Sequence, residues 1–476
     1  MAAVQAVGGR ITHDLGIIQA VGADLTESQI QDLLERDDIR IHDNRTARIA
    51  GKPQSYTATL VGADRVHEAG ITGAGVTVAV LDTGIWSNKY LKKNASNKNR
   101  ILGSYNAIKD KEDDGSRARK VKDENGHGTH VASVAVNSQR GRYKKFNGVA
   151  PGANLVVVKG FNEDGIGNYL DVIRGLGWIV DHREELDIRV LNLSFSSPPR
   201  SHYWDDPLNQ AVMAVWQAGI VVVTSAGNRG PAPMTIGVPG NVPYLITVGA
   251  MSDGFTPDNP GDDYLASFSA AGPTHEGFLK PEIVAPGGHV TGLMNKHAKL
   301  PKAHKKWHDG EEYFWMSGTS QAAAVVTGVV ALMLEAEPAL TPDEVKYRLI
   351  SSARPAVDAE GERGYSIFQQ GAGLVSAYDA VFNPEQGFAN QNLDVAKELA
   401  GIEHYGGPAN QDNDGNFYIM GESADGYLWD GSYGWTDAYL WSNAYLWSDA
   451  YLWSDAYLWS DAYLWTNAYL WSDAYL

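Results

Sequence analysis

The sequence predicts an α/β protein built on a doubly wound parallel sheet, and three observations carry that prediction. Short β-branched runs are continuously apolar rather than alternating, the pattern of strands buried on both faces. Their ends are rich in Gly, Ser and Asp. Amphipathic or apolar helical segments separate successive runs, the order that produces parallel crossovers.

In order, the strands are VTVAVLD (76–82), NLVVVKG (154–160), IRVLNLS (188–194), GIVVVTSAG (219–227) and YLITVGA (244–250). Between them HVASVAVN, YLDVIRGLGWIVDHREEL and PLNQAVMAVWQAG have helical spacing. In such a sheet the reactive crevice lies beyond the carboxyl ends of the strands.

Four regions follow from this pattern: 1–54, 55–383, 384–428 and 429–476. Residues 1–54 read as a small α+β unit with alternating stretches at Gly9–Thr12 and Ile17–Val21. A helix LTESQIQDLLERDD capped by Thr26 and a short strand Ile39-Arg40-Ile41 complete it. Residues 384–428 are rich in Asn, Gln and Gly and read as a linker. Within it Asn410, Asp412, Asp414 and Gly415 resemble the start of a calcium loop. The closing acid falls one place late, at Glu422, so a polar turn is the better reading.

The tail is a hexapeptide repeat. Seven copies of WSDAYL or a close variant fill Trp435–Leu476. Period six is a multiple of two, which on a strand keeps Trp, Asp or Asn, and Tyr on one face, so β-structure is expected. Repeated aromatics on a strand face suit self-association or surface attachment through 429–476.

Composition narrows the functions. The chain has 476 residues and a net charge of −18, which disfavours nucleic acid as a partner. Fourteen carboxylates and one base, Lys397, fall between Pro384 and Leu476, so the acidity belongs chiefly to the last fifth. The absence of Cys excludes disulfides, thiol nucleophiles and Cys-ligated metals. No apolar run reaches the ~18 residues that span a bilayer. The N-terminus has no basic segment followed by an apolar core, so no secretory leader is visible in this chain.

Three segments carry reactive side chains. Asp82 closes a strand in VLDTGI, His127 opens a helix in NGHGTHVAS, and Ser320 opens an apolar helix in SGTSQAAAVVTG. An Asp that orients an imidazole, a His that takes a hydroxyl proton and a Ser that attacks a carbonyl form a hydrolase triad. His127 is a better base than His130, which the next turn directs elsewhere. Asn228, just past a strand end in SAGN, and the Ser320 N–H at a helix start would supply two donors to an oxyanion.

With these segments in place, residues 55–383 resemble the subtilase family of serine proteases, through VLDTGI, GHGTHVAS, NGVAPGA (147–153), LNLSFSS, SAGN, VAPGG (284–288) and SGTSQAA. The resemblance implies a serine endopeptidase acting on peptides and proteins through an acyl-enzyme, with Asp82, His127 and Ser320 as triad and Asn228 as oxyanion donor. It also implies that Gly165, Ile166 and Gly167, with Ser194, Phe195 and Ser196, sandwich an extended substrate. Residues 1–54 resemble the second half of a subtilase propeptide, so a zymogen cleaved between about Asn44 and Tyr56 is expected, with a secreted or cell-envelope location and the cytoplasm as alternative. The competing reading is an inactive scaffold that binds through its repeat tail.

Several departures stand out. After Ser320 the chain reads Gln321, Ala322, Ala323, Ala324 and Val325, where the family has Met, Ala, a small residue, Pro and His. No cofactor is required for the chemistry. A structural calcium would suit the family but is assigned to no residue, because the loop that holds it in many relatives reads NSQRGRYKKFNG (137–148) and is cationic. An insertion at 289–314, with four His and five Lys, precedes the serine and is expected near the cleft as a lid or a charged wall.

Overall fold

The structure is a computed structural model that describes residues 1–15, 20–34, 36, 39, 41, 55–113, 121–141, 143–257, 262–357, 364–419, 428–429 and 431. Two compact units emerge, Met1–Lys52 and Pro53–Leu476.

The smaller unit holds a helix, Ala2–Ala6, and an antiparallel hairpin, Arg10–Leu15 with Ala20–Asp24. A second helix follows, Glu27–Leu34. The Thr26 hydroxyl accepts from the Gln29 N–H at 3.4 Å while the Gln29 side chain accepts from the Thr26 N–H at 2.9 Å, a reciprocal cap that explains where this helix starts. The expected strand over 39–41 is not formed at Ile39 or Ile41. The expected cleavage region at 44–54 lies outside the described residues, as does the β-structure expected of 435–476.

The larger unit is a twisted nine-stranded sheet. Its strands are β1 (Thr77–Asp82), β2 (Ile101–Asn106), β3 (Lys111–Asp113), β4 (Asn154–Lys159), β5 (Ile188–Leu193), β6 (Val221–Ser225), β7 (Ile246–Ser252), β8 (Tyr264–Leu265) and β9 (Ile283–Pro286). The spatial order is β8-β7-β6-β5-β1-β4-β2-β3, with β9 also paired to β7. Pairings are parallel except at the two edges, β7–β8 and β2–β3. The five strands read from the sequence are β1, β4, β5, β6 and β7. Every residue of β1, β6 and β7 is buried, as their unbroken apolar runs require.

Helices cover the sheet in two pairs. α1 (His127–Val136) packs on α4 (Thr319–Ala336), and α2 (Tyr169–Asp181) packs on α3 (Pro207–Gln217). α2 ends earlier than its apolar pattern suggested, with His182 as its C-cap and the His182 ring Nδ1 2.8 Å from the Trp178 carbonyl. α4 is the central helix, buried at every residue from Thr319 to Leu334. Among the described residues it is the one helix long and apolar enough to cross a membrane, and 89% of that stretch is buried inside the unit.

Strand order places β1 between β5 and β4, so the chain leaves β1 toward one side and returns to build the other. This switch opens a crevice at the carboxyl end of β1, where Asp82 stands. In-register pairing of Asp82 with Lys159 keeps the strand ends level there.

Residues 384–419, expected as a linker, instead pack on this unit. Tyr405, Ala409, Phe417 and Ile419 join its main apolar core. Strands β10 (Val290–Leu293), β11 (Tyr313–Met316), β12 (Ala409–Gln411), β13 (Phe417–Ile419) and β14 (Leu428–Trp429) form two smaller sheets. The turn between β12 and β13 is polar, as expected: Asp412 accepts from the Asp414 and Asn416 N–H groups at 3.0 and 2.8 Å.

Candidate active site

Asp82 is the last residue of β1 and only 3% exposed. The chain must turn sharply beyond it: Gly84 has φ +112, and a Cβ there would lie 2.3 Å from the Val121 carbonyl oxygen. His127 begins α1, so its ring is presented where the helix meets the strand end. The His127 Nδ1–H donates to Asp82, with Oδ1 at 2.8 Å and Oδ2 at 2.9 Å. That bond fixes the tautomer and leaves Nε2 as the acceptor. Burial is the largest influence on the imidazole and opposes its protonation. The charge and hydrogen bond of Asp82, with a smaller pull from Asp123, outweigh burial and raise the pKa above its ordinary value.

Asp123, which sequence reasoning missed, joins the two elements. Its Oδ1 accepts from the Thr83 hydroxyl at 2.9 Å and from the Asn125 and Gly126 N–H groups. Its Oδ2 accepts from the Thr129 N–H and hydroxyl at 2.9 and 2.6 Å. Thr83 in turn accepts from the Gly128 N–H at 2.8 Å. One buried carboxylate thereby ties the end of β1 to the orphan donors at the start of α1. An acid four residues ahead of a helical His was the available signal.

His130 points elsewhere, as expected. Its Nε2 donates to the Phe314 carbonyl at 3.1 Å on β11, and burial lowers its pKa to about 4. It anchors the hairpin β10–β11 to α1 as a neutral ring.

Ser320 lies in the first turn of α4 and is 8% exposed. Its hydroxyl donates to the Ser194 carbonyl at 3.0 Å. Its N–H has no protein acceptor among the described residues. Asn228 stands opposite: its Oδ1 accepts from both the Thr319 N–H and the Thr319 hydroxyl at 2.9 Å. Because those partners demand an oxygen, the amide Nδ2 is left to face the cleft as a donor. The Thr319 hydroxyl also accepts from the Gly227 N–H at 3.2 Å, so Thr319 and Gly227 together lock the amide. Asp82, His127, Asn228 and Ser320 all line one cleft of about 480 Å³.

A hydroxyl, an imidazole oriented by a carboxylate and a locked side-chain amide therefore share one crevice. The Subtilase family model matches residues 73–373, well over half of the chain. The chain belongs to the subtilase family. Serine protease AprX of Bacillus subtilis (strain 168) is 39% identical over 316 residues, covering 65% of this chain and 67% of that protein. Subtilisin DY of Bacillus licheniformis is 31% identical over 326 residues, 67% of this chain and 96% of its own length. Subtilisin E of Bacillus subtilis (strain 168) is 29% identical over 351 residues, or 73% and 78%. This subtilase is accordingly a subtilisin-like serine endopeptidase whose substrates are peptides and proteins.

Of the residues the resemblance marks for substrate, Gly165, Ser194, Phe195 and Ser196 line the cleft, with Phe161 and Phe195 in tilted contact at 4.9 Å. Ile166 and Gly167 continue the Gly165 segment beside it, and Ile166 is 66% exposed. Neither 165–167 nor 194–196 is paired in a described sheet. The Gly165 N–H and the Ile166 N–H and carbonyl are bonded within the turn to Asn162, and the Ser194 and Phe195 carbonyls accept from the Ser320 and Ser225 hydroxyls.

The insertion at 289–314 reaches the same place. The Lys299 and Leu300 N–H groups donate to the Glu124 and Asn125 carbonyls at 2.9 and 3.1 Å, just ahead of His127. The Lys299 ammonium pairs with Asp164, and Leu300 lines the cleft. It forms a wall between α1 and the Gly165 segment.

Subtilases generally need no cofactor for catalysis, and calcium binding is common among them. In this subtilase the cationic loop spends its charges on the protein: Lys145 pairs with Asp64 and the Arg140 guanidinium lies 3.8 Å over the Phe146 ring. Those residues do not suit a cation. Among the described residues no group of three or more His, Asp or Glu side chains converges on a metal position.

Proposed function

We propose that Ser320 is the nucleophile, His127 the general base and acid, Asp82 its orienting partner, and Asn228 with the Ser320 N–H the oxyanion donors. The observation that carries this reading is the two-oxygen grip of Asp82 on His127 Nδ1, which commits Nε2 to the cleft that Ser320 shares. In the reaction the Ser320 hydroxyl leaves the Ser194 carbonyl and gives its proton to Nε2 as the oxygen attacks the scissile carbonyl. Negative charge moves to the carbonyl oxygen, between the Asn228 amide and the Ser320 N–H. His127 then returns the proton to the leaving amine, an acyl-enzyme forms, and water repeats the sequence. The donors are locked before substrate arrives, so they need little rearrangement.

A fluorophosphonate probe should label Ser320 in the folded protein, and Ser320→Ala should abolish labelling. Folded, unlabelled protein would defeat the reading.

Substrate is held chiefly through its backbone, as an added strand between 165–167 and 194–196, and this supports broad specificity. Synthesis as a zymogen with cleavage between Asn44 and Tyr56 rests on the likeness of residues 1–54 to a propeptide; N-terminal sequencing of fully active enzyme that still begins at Met1 contradicts it. A secreted or cell-envelope location is the companion proposal, supported by likeness to the Minor extracellular protease Epr of Bacillus subtilis (strain 168). Cell fractionation tests it. The repeat tail at 429–476 is proposed to mediate self-association or surface attachment.

A further inference from the structure

Backbone pairing is blind to side chains, but the pocket beside the scissile carbonyl is not. We propose that this pocket selects a carboxylate on the residue that supplies the scissile carbonyl, with Arg229 as the recognising cation and Ser196 as a second donor. The proposal rests on the protease reading above.

The charges of the cleft wall point this way. Asp82, His127, Asp164 and Arg229 are the ionisable groups that line it. Asp82 is committed to His127 and Asp164 to Lys299. Arg229 is exposed, and among the described residues it has neither an ion pair nor a hydrogen-bond acceptor. The cleft therefore holds one uncompensated cation with a planar array of donors, the geometry that a carboxylate fits with two parallel hydrogen bonds.

Position makes that cation specific to one substrate residue. Arg229 directly follows Asn228, so its Cα is ~3.8 Å from that of the proposed oxyanion donor. Its stem starts beside the carbonyl under attack, and the nearest substrate side chain is the one attached to that carbonyl's own residue.

A hydroxyl lines the same cleft. Ser196 lines the cleft, and its hydroxyl has no partner among the described residues. A Cβ built on Gly237 would lie 1.9 Å from the Ser196 Oγ, so that hydroxyl already occupies the space against the backbone. A carboxylate would accept from this hydroxyl and from the guanidinium.

The test uses the full chain and a peptide series that differs only in the residue supplying the scissile carbonyl: Glu, Gln, Leu or Lys. Wild type should cleave the Glu peptide with kcat/KM about fivefold above the Gln peptide, a ratio that shrinks in 1 M NaCl. Arg229→Gln should bring the ratio to about one, and Arg229→Glu should make Lys preferred over Glu. Because the readout is a ratio, a uniform loss of activity cancels. A Glu-to-Gln ratio near one in wild type, or one unchanged by Arg229→Gln, overturns the proposal while cleavage of the Leu peptide leaves the protease reading intact. No cleavage of any peptide, together with no fluorophosphonate label on Ser320, overturns both.

Discussion

Asn228 is a side chain whose whole hydrogen-bonding capacity is divided by its neighbours. Thr319 takes the oxygen, and what remains is an N–H pair in the cleft. Asn228→Ala should lower kcat about 10²–10³-fold with little change in KM, the magnitude that losing such a donor costs in subtilisin itself. Steady-state kinetics on one peptide would check it; an effect confined to KM would assign Asn228 to ground-state binding instead. His127 makes a pH prediction. The base works only when neutral, and Asp82 raises its pKa despite burial. The acid limb of kcat/KM should therefore have its midpoint above the ordinary histidine value of about 6.5, with activity lost below it and retained above. A pH–rate profile with its midpoint below that value would contradict this balance of charge over burial.

At the scale of elements, α4 carries Ser320 against the sheet. It passes the loop at Val149 with no room to spare: a Cβ on Gly328 would lie 2.5 Å from the Val149 Cβ. Gly328→Val should therefore cost about 1–3 kcal/mol of stability, read as a lower urea midpoint. An unchanged midpoint would mean that the helix can shift. The main strands and the meeting of Asp82, His127 and Ser320 in one cleft were legible in the sequence because both follow from local rules: continuous apolar runs make β1, β4, β5, β6 and β7, and the three residues each stand where an element begins or ends. Asp123 was legible only in part: four of its donors are local, at 125, 126 and 129, but the Thr83 hydroxyl that makes it a tie between elements reaches it only after β1 and α1 dock. The segment 384–419 misled for a different reason. Its polar composition conceals sparse anchors, Tyr405, Phe417 and Ile419, whose burial no periodicity announces.

Across the whole molecule, composition and structure draw different boundaries. The charge pattern changes at Pro384, yet the packed unit continues through Ile419. Truncation after residue 431 should leave a soluble, active enzyme, whereas truncation after Asn383 should not, because it strips apolar residues from the core. Solubility and peptide hydrolysis of the two truncations would decide it. The longer truncation also tests the tail, since an oligomeric state identical to full-length protein would remove self-association from its roles.

Glu398 gives this boundary its timing. In the finished fold its carboxylate accepts from the Tyr203 and Tyr244 hydroxyls, the latter at 2.6 Å, and burial pushes its own pKa up to about 7. A ribosome delivers the chain from its N-terminus, so both tyrosines, and Ser320 with them, emerge well before the Glu398 carboxylate that the two tyrosines share. Until then each hydroxyl must stay hydrated or stand unpaired in the core, at about 1–3 kcal/mol apiece. The proposed nucleophile is therefore born early into an unfinished interior, and a nascent chain carries its protease chemistry in a fold that only its late residues can complete.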